Sequence, residues 1–99
     1  MLTRTVRMTF VPTKTDDFLA LFDEVSQHIR SFDGCAHLEL WQDVAYPNIF
    51  TTYSQWDTAD HLQAYRNSNL FESTWRRTKA MFADRPVARS STTVRLLGD

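Results

Sequence analysis

The 99-residue chain predicts an α+β domain, an antiparallel sheet with helices on one face in the split βαβ order β-α-β-β-α-α-β. Three observations lead there. Residues 2–11, 36–42 and 49–56 alternate along the strand period of two, and residues 87–97 are rich in Thr, Ser and Val. Between the first two strands lies the strongest helical periodicity of the chain, Phe18, Phe22, Val25, Ile29 and Phe32. From Phe50 to Phe82, finally, a strand gives way to two successive helices, and that stretch carries Trp56 and Trp75.

Taken in order, Leu2 to Val11 forms the first strand, with Leu2, Val6, Met8 and Phe10 on one side and Thr3, Thr5, Arg7 and Thr9 on the other. Pro12 ends it. Thr13 is the expected N-cap of the first helix, with Asp16 at the third helical position as an aspartate variant of the capping box. Leu21 and His28 border that helix's apolar stripe, and the helix stops at Asp33-Gly34, where glycine can turn left-handed. In the second strand, Ala36 to Gln42, Leu38 and Leu40 oppose His37, Glu39 and Trp41. Tyr46-Pro47-Asn48 then turns the chain into the third strand, whose Phe50, Thr52, Ser54 and Trp56 share a face.

Asp57 and Thr58 offer capping oxygens to a short helix, Ala59 to Asn67, on which Leu62 and Tyr65 share a face with Ala59 or Arg66. Ser68 caps the next helix, with Glu72 in its first turn to favour the positive end of the dipole. Phe71, Trp75, Thr78 and Phe82 follow at steps of four, three and four and form one stripe. Asp84-Arg85-Pro86 breaks the helix, and Val87 to Leu97 is the last strand. With one helical layer on one face, the other sheet face presents His37, Glu39, Trp41, Ile49, Thr51 and Tyr53, too aromatic for a solvated surface. A homodimer packing through that open face is expected.

Length and composition fit one domain over residues 1–99, and 42% apolar residues are enough for a core. A formal net charge of −1, with arginines scattered rather than clustered, lacks the electrostatic footprint of a nucleic-acid binder. No stretch approaches the roughly 20 apolar residues of a membrane span, and the alternating start with Arg4 and Arg7 is wrong for a signal peptide. The single cysteine, Cys35, has no internal disulfide partner and fits a reducing, cytoplasmic setting. Following Gly34, it reads as a small buried residue rather than a nucleophile. No metal site is expected, because His28, His37 and His61 lack ligand spacing and His37 with Glu39 is a weak pair better suited to an interface.

Gly34-Cys35 followed by HLELWQD, then NIFTTYSQW, then YRNSNLFESTWRRTKAMFADRP, resembles the antibiotic biosynthesis monooxygenase domain over nearly the whole chain. The nearest likeness is to a bacterial branch labelled quinol monooxygenases. The resemblance implies a ferredoxin-like fold, a dimeric α/β-barrel-like assembly, and oxygenation by O2 without metal, haem or flavin. Relatives oxidise electron-rich phenols or anthrones to quinones, so the protein need only bind an acidic aromatic, promote loss of its proton and exclude water. Residue by residue, Trp56 matches a tryptophan that ends the third strand, while Thr52 replaces an amide four residues earlier. A histidine pair found in many relatives falls at Tyr65 and Leu70, and the iron-ligating histidine of haem-degrading members falls at Trp75, so that chemistry is not expected. Arg76 is the nearest match to an arginine on the third helix, although helical geometry turns it off the Phe71, Trp75, Thr78 stripe.

The residues themselves place a pocket between sheet and helices, lined by Phe22, Thr52, Ser54, Trp56, Leu62, Tyr65, Phe71 and Trp75. Tyr65, Trp56 and Arg76 are the candidate catalytic groups, Tyr65 as the one that bonds a substrate oxygen; the others would bind substrate. Against this stands the reading of Phe22, Leu62 and Phe71 as plain core, and of Thr52 and Ser54 as hydroxyls satisfied by strand neighbours. Two functions from different classes are therefore carried: a cofactor-free monooxygenase of a small aromatic, and a non-catalytic dimeric module that binds a small ligand or serves a stress response. An isomerase or lyase on a small carbonyl compound is a third, since one fold hosts many chemistries.

Overall fold

The computed structural model describes residues 1–98. The chain runs β1 (Leu2–Thr9), a 3-10 turn (Pro12–Lys14), α1 (Thr15–Arg30), β2 (Cys35–Gln42), β3 (Ile49–Trp56), α2 (Ala59–Arg66), α3 (Asn69–Lys79) and β4 (Val87–Thr92). The strands form one 4-stranded antiparallel sheet in the order β2-β3-β1-β4. This is the ferredoxin-like α+β fold expected from the sequence: the crossover through α1 leaves a gap between β1 and β2, and β3 fills it.

Register decides what faces the helices. Arg4 lies opposite Ser54, Val6 opposite Thr52 and Met8 opposite Phe50, while Leu38 and Leu40 of β2 meet Ser54 and Thr52. Even-numbered positions of β1, β3 and the body of β2 therefore share the inner face. At its start β2 is irregular: Cys35 pairs with Trp56 and His37 with the next residue, Gln55, leaving Ala36 as a bulge. That extra residue turns Cys35 inward, where it is buried with Trp56 and Leu62, and leaves His37 facing outward.

One end of the core is aromatic. Phe10 has no exposed surface, stacks on Phe18 at 4.2 Å between centroids, and meets Phe50 and Phe82 at 6.0 and 5.4 Å. Its backbone leaves β1 and is held by Asn48, whose carbonyl accepts from the Phe10 N–H and whose side-chain amide donates to the Phe10 carbonyl. In the middle, Leu21, Val25 and Ile29 of α1 pack together against Leu38 and Leu70.

Several boundaries differ from the expectation. The first strand ends at Thr9 rather than Val11, because Phe10 bridges to Phe82 instead of continuing the ladder. Thr13 caps nothing: Pro12 opens a 3-10 turn, and α1 starts from Lys14 without a side-chain cap. Leu21, rather than Phe22, lies on the buried stripe of α1, and Phe22 is only half-buried. The apolar stripe of α3 extends to Phe82, but the helix ends at Lys79, so Phe82 lies beyond its last turn. The last strand stops at Thr92, is exposed throughout, and leaves Val94, Leu96 and Leu97 outside the sheet. Thr58 and Ser68 do cap α2 and α3, accepting from the His61 and Phe71 N–H groups.

Gly34 has φ of +85° in the turn after α1, and its carbonyl accepts from the Asp57 N–H at 2.8 Å, tying that turn to the end of β3. A Cβ here would run into the His61 ring, which the Thr58 hydroxyl holds through Nδ1. Gly34→Ala therefore meets both backbone strain and a clash, and should cost about 2 kcal/mol or more. Urea unfolding checks this, and Gly34→Ala combined with His61→Ala should recover only the part of the loss due to the clash.

Candidate functional site

Between the sheet and the helices lies a cavity of about 260 Å³. A cavity of roughly 150 Å³ already holds a benzene ring, so this one takes a one- or two-ring molecule. Its floor is the inner sheet face, from Arg4, Val6 and Met8 through Thr52 and Ser54 to Ala88 of β4. Its walls are α1, through Leu21 and Phe22, and the α2–α3 pair, through Leu62, Tyr65, Phe71 and Trp75. Every residue expected to line a pocket does line this cavity, Phe22, Thr52, Ser54, Trp56, Leu62, Tyr65, Phe71 and Trp75 alike.

An aromatic chain runs through the wall. Trp56 stacks on Tyr65 at 5.0 Å and 23°, Tyr65 meets the edge of Phe71 at 5.3 Å, and Phe71 stacks on Trp75 at 5.8 Å and 11°. Trp56 is 1% exposed, and its indole N–H donates to the Ser54 hydroxyl at 3.0 Å. Ser54 in turn points its own hydrogen at the Arg4 carbonyl, at 3.5 Å. Both polar groups are thus engaged inside the fold. Tyr65, Thr52 and Thr74, by contrast, carry hydroxyls with no side-chain hydrogen bond among the described residues, so they are neutral groups free to meet a guest.

Burial, with Cys35 nearby, pushes the Tyr65 phenol up to about 12. At neutral pH Tyr65 is therefore a hydrogen-bond donor and not a base. Burial likewise raises the Cys35 thiol, against the opposing pull of the His37 backbone and of Arg30, and keeps it from ionising.

Arg76 does not join the cavity. It lines a neighbouring depression at the α2–α3 junction with Glu72 and Lys79, one that shares Arg66, Phe71 and Trp75 with the cavity. His28 is exposed on α1 and His61 buttresses Gly34, so no histidine reaches the cavity wall. Two charged residues that were not among the expected pocket residues also line it, Arg4 and Arg66, the second of them expected, as the alternative to Ala59, on the face of Leu62 and Tyr65. The signal for Arg4 was present: it occupies an even position among Leu2, Val6 and Met8 on the inner face of β1. On the outer sheet face, Glu39 accepts from His37 and, at 2.7 Å, from the Trp41 indole, while Trp41 stacks on Tyr53 at 5.0 Å. No group of three metal-ligating side chains gathers among the described residues.

The family model for antibiotic biosynthesis monooxygenase matches residues 1–77, from β1 almost to the end of α3. The chain belongs to that family. Among solved structures, an antibiotic biosynthesis monooxygenase superposes with a TM-score of 0.90 at 19% identity, over 96% of this chain and 100% of the other. The Rv0793 protein of Mycobacterium tuberculosis gives 0.88 at 13% identity, over 98% of each chain. A conserved protein from Methanosarcina mazei gives 0.86 at 17% identity, over 92% of this chain and 91% of that one. At such identities the likeness speaks to the fold. No curated protein matches the sequence significantly. No helix among the described residues is long and apolar enough to cross a membrane.

The raised Tyr65 phenol links stability to alkaline pH. Below pH 10 it is neutral in both the folded and unfolded states, and its contribution is fully in place. Between 10 and about 12 the unfolded chain ionises while the fold does not, so stability falls as pH rises through that window. The loss is about 1.4 kcal/mol per pH unit, about 3 kcal/mol in all. Denaturant titrations at pH 8 and pH 11.5 should show it, and Tyr65→Phe should flatten the alkaline fall.

Proposed function

We propose that this protein is a monooxygenase that oxidises a small electron-rich aromatic, a quinol or related phenol, with molecular oxygen and no cofactor. The observation that carries the reading is the aromatic-walled cavity with its free Tyr65 hydroxyl, in a chain of the antibiotic biosynthesis monooxygenase family. Its volume suits one or two rings, and its stacked walls suit a flat guest. One domain over residues 1–99 would carry the activity, in a cytoplasmic setting that suits a single unpaired cysteine.

The chemistry asks little of the protein. Ground-state O2 is a triplet and reacts slowly with closed-shell molecules, but an ionised phenol can pass it one electron. Recombination forms a bond from oxygen to a ring carbon, and the O–O bond then breaks. One oxygen atom stays as the new quinone carbonyl, and the other leaves as water with the ring hydrogen and the phenolic hydrogen. The substrate gives up four electrons and O2 takes four. In this scheme Tyr65 donates a hydrogen bond to the substrate oxygen, Thr52 offers a second hydroxyl, and the Trp56, Phe71 and Trp75 rings fix the plane of the guest and keep water out.

Oxygen consumption by metal-stripped protein, run with hydroquinones, naphthohydroquinones and anthrones, tests the reading. Uptake above the spontaneous rate is expected, with one atom of isotopically labelled O2 in the quinone. Tyr65→Phe should lower kcat/KM about tenfold through the lost hydrogen bond. Trp56→Phe, which also strands Ser54, should lower it through looser packing. Absence of uptake across the panel would sink the oxygenase reading.

A second reading is supported by the lack of any group in the cavity wall that titrates near neutrality, Tyr65 being held protonated and no histidine lining it. It is a non-catalytic dimeric module that binds a small ligand, and a ligand that co-purifies without oxygen uptake would favour it.

We further propose that two copies pair through the outer sheet face. Trp41 is 43% exposed there, stacked on Tyr53 beside the His37–Glu39 pair. Light scattering at micromolar concentration should give twice the chain mass, and Trp41→Glu should shift it toward one chain; a monomer in the unmutated protein overturns the pairing.

A further inference from the structure

The cavity wall holds charge of one sign only. Arg4 and Arg66 are the charged residues that line it, and no aspartate or glutamate does, in a protein whose formal net charge is −1. Arg4 stands on a central strand, on the face turned to the helices, a position otherwise given to Val6 and Met8. Its Nη1 donates to the Ser90 hydroxyl of β4 at 2.9 Å. The other N–H donors of its fork have no side-chain partner among the described residues. Arg66 ends α2 and reaches the same cavity beside Tyr65 and Phe71. Ion pairs among the described residues engage Lys14, His37, His61 and Arg77, and neither Arg4 nor Arg66.

Two like charges at one apolar cavity, with no carboxylate between them, repel each other until an anion arrives. We propose that Arg4 and Arg66 form an anion subsite of this cavity, so that its aromatic guest carries an anionic oxygen substituent, a carboxylate or an ionised phenol. The subsite deepens the oxygenase reading and rests on the cavity being its ligand site. Burial, and after it the nearby Arg66, draw Arg4 below its ordinary value, in keeping with the two charges facing one space. A guanidinium fork binds two oxygens side by side, and the aromatic walls take the ring. An anion held there also makes the ionised form of a phenol the bound form, which is the form that reduces O2.

Binding separates this from the oxygenase reading, because the probes are not oxidised during the measurement. Calorimetric titration of the full-length protein at neutral pH would use naphthoate, a nitronaphthol ionised at that pH, and neutral naphthol. At least one anion should bind about tenfold more tightly than naphthol, with the advantage shrinking as salt is raised. Arg4→Gln and Arg66→Gln should each cut that preference to about twofold or less while naphthol binding holds. Arg66 is exposed on its helix, so Arg66→Gln decides the matter even where Arg4→Gln fails to fold. Preference for naphthoate assigns the subsite to a carboxylate, and preference for the nitronaphtholate assigns it to the phenolate. Anions that bind no better than naphthol, or a preference that survives Arg66→Gln, overturn the proposal. Anion binding without oxygen uptake removes the oxygenase and leaves the subsite standing.

Discussion

Phe10, stacked on Phe18 and ringed by Phe50 and Phe82, holds one end of the sheet and the helical layer together. It is anchored in the backbone as well, through Asn48 on the approach to β3 and through a bridge to Phe82 beyond α3. At the opposite end Trp56, Phe32 and Tyr65 form a second aromatic cluster, with Leu62 and Cys35 beneath it. Large rigid rings at both ends set the spacing of the two layers. Between them the floor carries smaller side chains, Val6, Thr52, Ser54 and Ala88, which do not fill that spacing. A packed interior tolerates few voids, so a void of about 260 Å³ calls for supports of this kind.

The same supports settle which polar groups are free. Ser54 and Trp56 satisfy one another, which lets a fully buried indole sit at the end of β3 without an orphaned N–H. Tyr65 has ring neighbours on three sides, Trp56, Phe32 and Phe71, but no side-chain partner for its hydroxyl among the described residues. Arg4 is steadied by Ser90 on β4, the strand that lies beyond the matched family region. On α1 and α3, the Arg77 fork grips Glu24 through two hydrogen bonds at 2.6 and 3.3 Å and lowers that carboxyl. This surface clamp joins the two helices across the outside, away from the cavity.

The cavity was legible in the sequence because two periodicities sufficed to find its wall. Alternation along 50–56 put Thr52, Ser54 and Trp56 on one face, and helical spacing put Leu62 with Tyr65 and Phe71 with Trp75. Arg4 shares the register of Leu2, Val6 and Met8, but its charge interrupts the apolar alternation that marks that face, although register is blind to residue type. Arg66 and Arg76 follow helical phase: Arg66, at the end of α2, lines the cavity with Leu62 and Tyr65, and Arg76, off the Phe71, Trp75, Thr78 stripe of α3, does not.

Local chemistry was enough to determine the elements, their order and their buried faces: alternation and spacing are properties of neighbouring residues, and so are the Thr58 and Ser68 caps. Tertiary structure alone decided where elements stop and what becomes of each polar group. Phe10 leaves the ladder because Phe82 and Asn48 compete for it, and Cys35 turns inward because a bulge at Ala36 shifts its register. Burial raises Tyr65, and Ser54 engages Trp56, only once the helices close over the sheet. Such outcomes depend on contacts between residues far apart along the chain, and short-range patterns carry no record of them.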